Sequence, residues 1–298
     1  MSNSNDPVMR QVLAEQNQGQ ETRKKYFAQL ERELKRPILS FFTSFIHPVM
    51  IADSDADMLE GILQKMDLSN GLALIINSPG GSGLAAERII RACRSYSKTG
   101  EYWVIVPGKA KSAATMICFG ASKIIMGPTS ELGPIDPQVR LETGEGCSVC
   151  NIIRSYEELF KGAEKTGGHL EPYLQQLNRY DQRIIEEYRM AQSLSEDIAI
   201  KSLGTGMLKG VSEKDIREKI KVFLTPEQTK VHGRPIYRDD AEAYGLRIEK
   251  VDATSAAWKS VYELYIRSDG FVSSKASKCM ETKEQGWSIA IPAKGGKK

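Results

Sequence analysis

Short apolar runs separated by sharp turns organise the chain. Residues 1–20 are polar and rich in Gln and Asn, and read as a frayed end. Thr22 to Leu34 reads as a charged helix. Ile38-Leu-Ser-Phe-Phe-Thr-Ser-Phe-Ile46 is aromatic and β-branched and predicts a buried strand. From Asp55 to Met66, residues Met58, Leu59, Ile62 and Leu63 share one helical face. Leu72-Ala-Leu-Ile-Ile76 is a continuous apolar run, as in a strand buried on both faces, and it ends in the turn Asn77-Ser-Pro-Gly-Gly81. A helix over Leu84–Tyr96 follows, then a second buried strand over Tyr102–Val106 that stops at Pro107-Gly108. Ala113–Phe119 begins another helix, and Lys123–Met126 is a short strand.

This strand–turn–helix alternation predicts βαβ units and a mostly parallel sheet, hence an α/β fold. In such sheets chemistry gathers where strands end and turns lead into helices. Two turns have that character, 77–83 and 107–113. Further along, 152–166 and 172–194 read as long charged helices and 213–220 as another. Residues 234–251 read as strand, helix, strand. Beyond 252 the pattern is weak, and there is no internal repeat. The division is an N-terminal helical extension (1–36), a main α/β domain (37–252) and a C-terminal extension (253–298).

At 298 residues and 41% hydrophobic, the chain has the material for a large core. A formal charge of +3 is too balanced for a dedicated nucleic-acid binder, whose basic residues form a stripe. No run approaches the ~18 apolar residues of a spanning helix, and the start lacks the basic and apolar parts of a signal peptide. The expectation is a cytoplasmic protein with no membrane segment. Five scattered cysteines suit a reducing compartment better than a disulfide framework. Cys147-Ser-Val-Cys150 is a single CxxC without the second ligand pair of a structural zinc site, so no metal or cofactor is implied.

The Asn77–Gly81 turn brings bare backbone to the surface, and the N–H groups of Gly80, Gly81 and Ser82 suit an anion or a carbonyl oxygen. Taken by itself it also reads as an ordinary tight turn. Gly108-Lys-Ala-Lys-Ser112-Ala-Ala-Thr-Met116 puts a serine at a helix start, where it serves as an N-cap or as a nucleophile beside free N–H groups. Lys109 and Lys111 flank it and read as exposed loop charges.

In order and at this spacing, the two turns resemble the ClpP peptidases and their relatives, the SppA signal-peptide peptidases. The run Ala121-Ser-Lys-Ile-Ile-Met-Gly-Pro and the closing segment Thr225 to Leu246 extend the likeness over about 38–251. The Gly133-Pro-Ile-Asp-Pro-Gln138 and His232-Gly-x-Pro-Ile236 runs resemble most the serine dehydrogenase proteinase (SDH) branch. Members of that branch often carry an N-terminal membrane helix, and none is evident here. The resemblance implies a ClpP/crotonase-like fold of repeated ββα units and a polypeptide substrate. It also implies a homo-oligomer; the sequence leaves open an unfoldase or regulatory partner. It makes Ser112 the nucleophile, with Gly80 or Gly81 and the N–H of Ala113 as the oxyanion hole.

The proton acceptor departs from the family pattern. Where ClpP has its histidine this chain has Asp136, and near the place of the ClpP acid it has His232. Of the histidines, His47 precedes a proline and His169 lies in a glycine-rich loop. His232 alone lies where the resemblance puts a catalytic group, so the resemblance implies it as the base, with Asp136 orienting it; both also read as turn-forming residues. The alternative is a Ser–Lys dyad as in SppA, for which Lys161 and Lys165 have the approximate spacing. Both sit among Glu157, Glu158 and Glu164, as residues of a solvated helix face do. The leading reading is a serine endopeptidase. A crotonase-like acyl-CoA enzyme and a catalytically degenerate peptide-binding scaffold stand beside it.

Overall fold

The computed structural model describes residues 19–47, 49–141, 144–225 and 233–291. The chain begins with α1 (Glu21–Leu34), β1 (Ile38–Thr43), α2 (Asp53–Leu63), β2 (Leu72–Asn77), α3 (Gly83–Tyr96) and β3 (Tyr102–Val106). There follow β4 (Lys109–Ala110), α4 (Ala113–Phe119), β5 (Lys123–Met126), β6 (Glu131–Leu132), β7 (Gln138–Arg140) and β8 (Gly146–Ser148). Three helices come next, α5 (Val149–Lys165), α6 (Glu171–Leu177) and α7 (Gln182–Thr205), then α8 (Glu213–Leu224). The described chain closes with β9 (Ile236–Tyr237), α9 (Arg238–Ala243), β10 (Ile248–Lys250), α10 (Ala256–Ser274), β11 (Ala276–Glu281) and β12 (Gly286–Ala290).

The central sheet has the order β10-β5-β3-β2-β1-β11-β12. Its first five strands are mutually parallel, and β11 and β12 run antiparallel at one side. A small second sheet, β4-β6-β9, stands over the strand ends. Together these make a mixed, mostly parallel α/β arrangement, consistent with the ClpP-like fold that the sequence resemblance implies.

Strand period two explains why the apolar runs are continuous. Leu39, Phe41, Leu72, Leu74, Ile76, Tyr102 and Val104 face one core with α2, α3, α4 and α8. The alternate residues Ile38, Phe42, Ala73, Ile75 and Ile105 face a second core built with Phe27 and Leu30 of α1 and Trp258, Val261 and Leu264 of α10. Both faces of the sheet are thus covered.

Three elements differ from the sequence reading. The strand expected over 38–46 stops at Thr43, because Ser44 Oγ accepts the N–H groups of Ile46 and His47 and turns the chain out. The helix expected over 172–194 is two helices; Asp181 caps the second, its carboxylate accepting the Arg183 N–H at 2.9 Å. Past 252, where the pattern is weak, two strands complete the sheet and a long helix packs against it. β11 is buried at every position, and two of its buried residues are charged and paired. Lys278 Nζ lies 2.7 Å from Asp55 Oδ2, and Glu281 binds Arg23 through both oxygens at 2.6 and 2.7 Å. Among the described residues, no helix is long and apolar enough to cross a membrane.

Candidate active site

Two turns meet at the carboxyl ends of β2 and β3. The Ser78 N–H donates to Lys109 C=O at 2.9 Å, and the Lys111 N–H donates to Ser78 C=O at 3.0 Å. These bonds hold the strip 109–111 beside the end of β2. A Cβ built on Gly80 would lie 2.7 Å from Ser112 Cβ and 2.6 Å from Lys111 O. The first turn thus presses against the second so closely that only glycine fits, and at φ +106° Gly80 also has a backbone that L side chains rarely adopt.

Ser112 stands at the N-terminal boundary of α4 with φ 51° and ψ −119°. Among the described residues Ser112 and Lys35 are the non-glycine residues of positive φ. Such backbone strain costs on the order of 1–3 kcal/mol and persists where surrounding structure enforces it. Here the Ser112 N–H is tied to Pro134 C=O at 3.2 Å. The hydroxyl makes no capping bond to the helix, so the ordinary role of a serine at this position is not used.

The backbone donors divide clearly. Gly80 N–H is taken by Ser78 Oγ at 3.1 Å, and Ser78 Oγ also receives the Thr43 hydroxyl at 2.5 Å. Ile51 bridges the turn through Gly80 C=O and Ser82 N–H, at 2.8 and 2.9 Å. Gly81 lies between those two groups, so its N–H points to the opposite side. Ala113 N–H is the first of α4 and has no preceding helical turn to donate into. Of the three oxyanion candidates, then, Gly80 has its N–H engaged and supplies the close approach; Gly81 and Ala113 are left as donors, Ala113 being fully buried.

A cleft of about 400 Å³ opens over Ser112. Its floor is Ser112, Gly81 and Met116, and its walls are Met50, Leu84, Ile135 and Gln138, together with α7. Ala191, Leu194, Ser195 and Ile198 of α7 face it at helical spacing. None of the described residues lining it is ionisable.

Asp136 is 1% exposed and accepts the Gln138 amide at 2.7 Å; it flanks the cleft residues Ile135 and Pro137. His232 lies outside the described residues. Lys161 and Lys165 are exposed on α5, and neither lines the Ser112 cleft. Lys161 borders a different hollow, with Tyr156, Phe160 and Arg189. His47 Nε2 is 3.3 Å from Ser273 C=O, and His169 is exposed. Lys109 is exposed as expected, but Lys111 is not a loop charge. Its side chain is 13% exposed, pairs with Glu131 at 2.9 Å and reaches Leu132 C=O at 3.2 Å. Burial holds its ammonium below the ordinary lysine range in spite of Glu131. Cys147 and Cys150 lie in β8 and α5, and the described residues contain no metal-holding group of three His, Cys, Asp or Glu.

Some contributors escaped the sequence reading. The α7 wall was marked there as a charged helix; its signal was the 191/194/195/198 spacing. Ser78 was seen only as part of a turn. Asn77 contacts α10, from the segment without a legible pattern.

Residues 23–163 match the family of ClpP-like SDH-type serine proteinases. An uncharacterized protein of Methanocaldococcus jannaschii is 29% identical over 199 residues, which is 67% of this chain and 60% of the relative. A second uncharacterized protein of that organism is 33% identical over 107 residues, 35% of each. The chain thus spans less than two thirds of either relative. Two solved structures of the 1510-N membrane-bound stomatin-specific protease are similar at low scores. A serine-to-alanine mutant gives TM-score 0.31 at 17% identity, covering 68% of this chain and 93% of that one. A lysine-to-alanine mutant in complex with a substrate peptide gives 0.29 at 18% identity, covering 73% and 93%. Neither likeness is close enough to bear on function.

Proposed function

We propose that the chain is a serine endopeptidase that cleaves peptide bonds through an ester on Ser112. The observation that carries this reading is the strained, uncapped Ser112 packed against the Gly80–Gly81 turn. The family match over 23–163, which includes both turns, supports it.

Ser112 Oγ attacks the substrate carbonyl carbon while a base takes the hydroxyl proton. The carbonyl oxygen becomes an oxyanion and accepts the N–H groups of Gly81 and Ala113, worth about 3–4 kcal/mol per donor in comparable sites. Collapse expels the amine, which regains the proton, and water then hydrolyses the ester. The apolar cleft suits a peptide with apolar side chains beside the cleaved bond.

His232 is the base in this reading and Asp136 its orienting acid. The support is positional. Ile135 N–H donates to Phe223 C=O at 2.7 Å, and Ile236 pairs with Leu132. Both neighbours of the segment holding His232 are therefore anchored on the 132–135 strip that also receives the Ser112 N–H. The Ser–Lys alternative, through Lys161 or Lys165, is less well supported because both are exposed away from the cleft.

Labelling with a fluorophosphonate tests the reading. Wild type takes one label on Ser112, Ser112→Ala takes none, and His232→Ala labels at least tenfold more slowly. A protein that cleaves peptides yet stays unlabelled would refute it, and absence of both label and cleavage would favour the scaffold reading.

A further inference from the structure

Asn77 ends β2 and is 1% exposed. Its Oδ1 accepts the Lys109 N–H at 2.8 Å, and its Nδ2 donates to Asp269 Oδ1 at 3.1 Å. A backbone N–H only donates and a carboxylate only accepts, so the amide has one orientation that satisfies both. Asp269 belongs to α10, well beyond the 23–163 family match. It is partly withdrawn from water, which pushes its carboxyl above the ordinary range, although the Asn77 bond and nearby Lys109 oppose that.

The bridge meets the active-site turns at their root. Lys109 C=O receives the Ser78 N–H, and Ser78 C=O receives the Lys111 N–H. Residue 111 is bonded to Ser112. Close packing leaves the root little play: a Cβ on Gly108 would lie 2.8 Å from Asn77 Oδ1 and 2.7 Å from Tyr265 Oη. Tyr265 is also on α10, so this helix touches the 107–111 turn at two places.

We propose that Asp269 is a positioning residue for Ser112, holding Asn77 so that the 107–112 turn stays at the spacing the oxyanion donors require. This rests on the reading of Ser112 as nucleophile. Asp269 touches no substrate; it acts through Asn77 and the Lys109 N–H. The bond to an ionised acceptor is stronger than one between neutral groups, and displacement of a reacting group by about 1 Å costs roughly a hundredfold in rate.

The test follows Ser112 labelling against fluorophosphonate concentration in the full chain, for wild type, Asp269→Leu and Asp269→Asn. Circular dichroism and melting confirm that each variant is folded. Asp269→Leu removes the acceptor and lowers the saturating rate at least tenfold, with little change in the half-saturating concentration. Asp269→Asn keeps an acceptor oxygen and recovers the rate to within about threefold of wild type. A purely structural loss would lower the amount of folded protein without this split or this rescue. Wild-type rates in folded Asp269→Leu would overturn the positioning role while leaving the nucleophile reading intact. Wild-type protein that takes no more label than Ser112→Ala would overturn the nucleophile reading and, with it, this proposal.

Discussion

Gly80→Ala isolates the contact that brings the two turns together. The new Cβ would sit 2.6 Å from Lys111 O, against an ordinary contact of 3.4 Å or more, so the turns must part by about 0.8 Å. The neighbouring atoms are backbone and Ser112 Cβ, which cannot swing aside as a long side chain would. Overpacking of this kind costs about 1–3 kcal/mol, and an alanine at φ +106° adds about 1–2 kcal/mol. If Ser112 is the nucleophile proposed above, a displacement near 0.8 Å there corresponds to a loss on the order of 50-fold in rate. The assay pairs the rate of fluorophosphonate labelling with the urea midpoint. Gly100→Ala is the control, since it too has positive φ but meets nothing within 4 Å; it should carry the strain cost with no change in labelling. Labelling of Gly80→Ala within twofold of wild type, at an unchanged midpoint, would refute the packing of these turns.

Ser112→Gly should be more stable than Ser112→Ala by about 1 kcal/mol in urea unfolding, because relief of positive φ outweighs the entropy of glycine; the reverse order would mean Ser112 is unstrained. Lys278→Ala should cost about 3–5 kcal/mol, since it strands a fully buried Asp55 carboxylate, and Lys278→Met with Asp55→Asn should be more stable than that single change. Iodoacetamide should modify native Cys147 and Cys150 well before Cys93, Cys118 and Cys279, which are fully buried; burial pushes the Cys93 thiol up to about 12. For Asp269, the folded carboxyl binds its proton more tightly than the unfolded one. Stability therefore falls as pH rises from the ordinary carboxylate value through the raised one, and a pH series of melting curves should lack that fall in Asp269→Asn.

The parallel sheet and both site turns were legible because their residues agree at every level. Leu72–Ile76 and Tyr102–Val106 are apolar throughout, since helices cover both faces. The turns carry glycines where the backbone demands them. The C-terminal strand was invisible for the opposite reason. Ala276-Ser-Lys-Cys-Met-Glu281 is as buried as β2, but its charges are neutralised by Asp55 and Arg23, more than two hundred positions away. No local pattern can announce such partners. The cleft wall and the Asp269 bridge were hidden similarly, because each depends on a helix whose register against the site is set by tertiary packing. His232 stays an expectation founded on the family pattern and on the anchors at Phe223 and Ile236.

The pairing of β1 with β11 also bears on how the protein is made. Strand β1 leaves the ribosome well before β11, so one of its edges has no partner until residues 276–281 have been synthesised. Until then that edge exposes a row of unmatched amides, the kind of surface that invites pairing with another chain. The same delay keeps α10 from its place under the 107–112 turn. A nascent chain would already contain Ser112 and both glycines while lacking the helix and strand that brace them. Long-range closure of this kind slows folding, and it leaves the 107–112 turn without its brace until the last helix and strand of the sheet have been made.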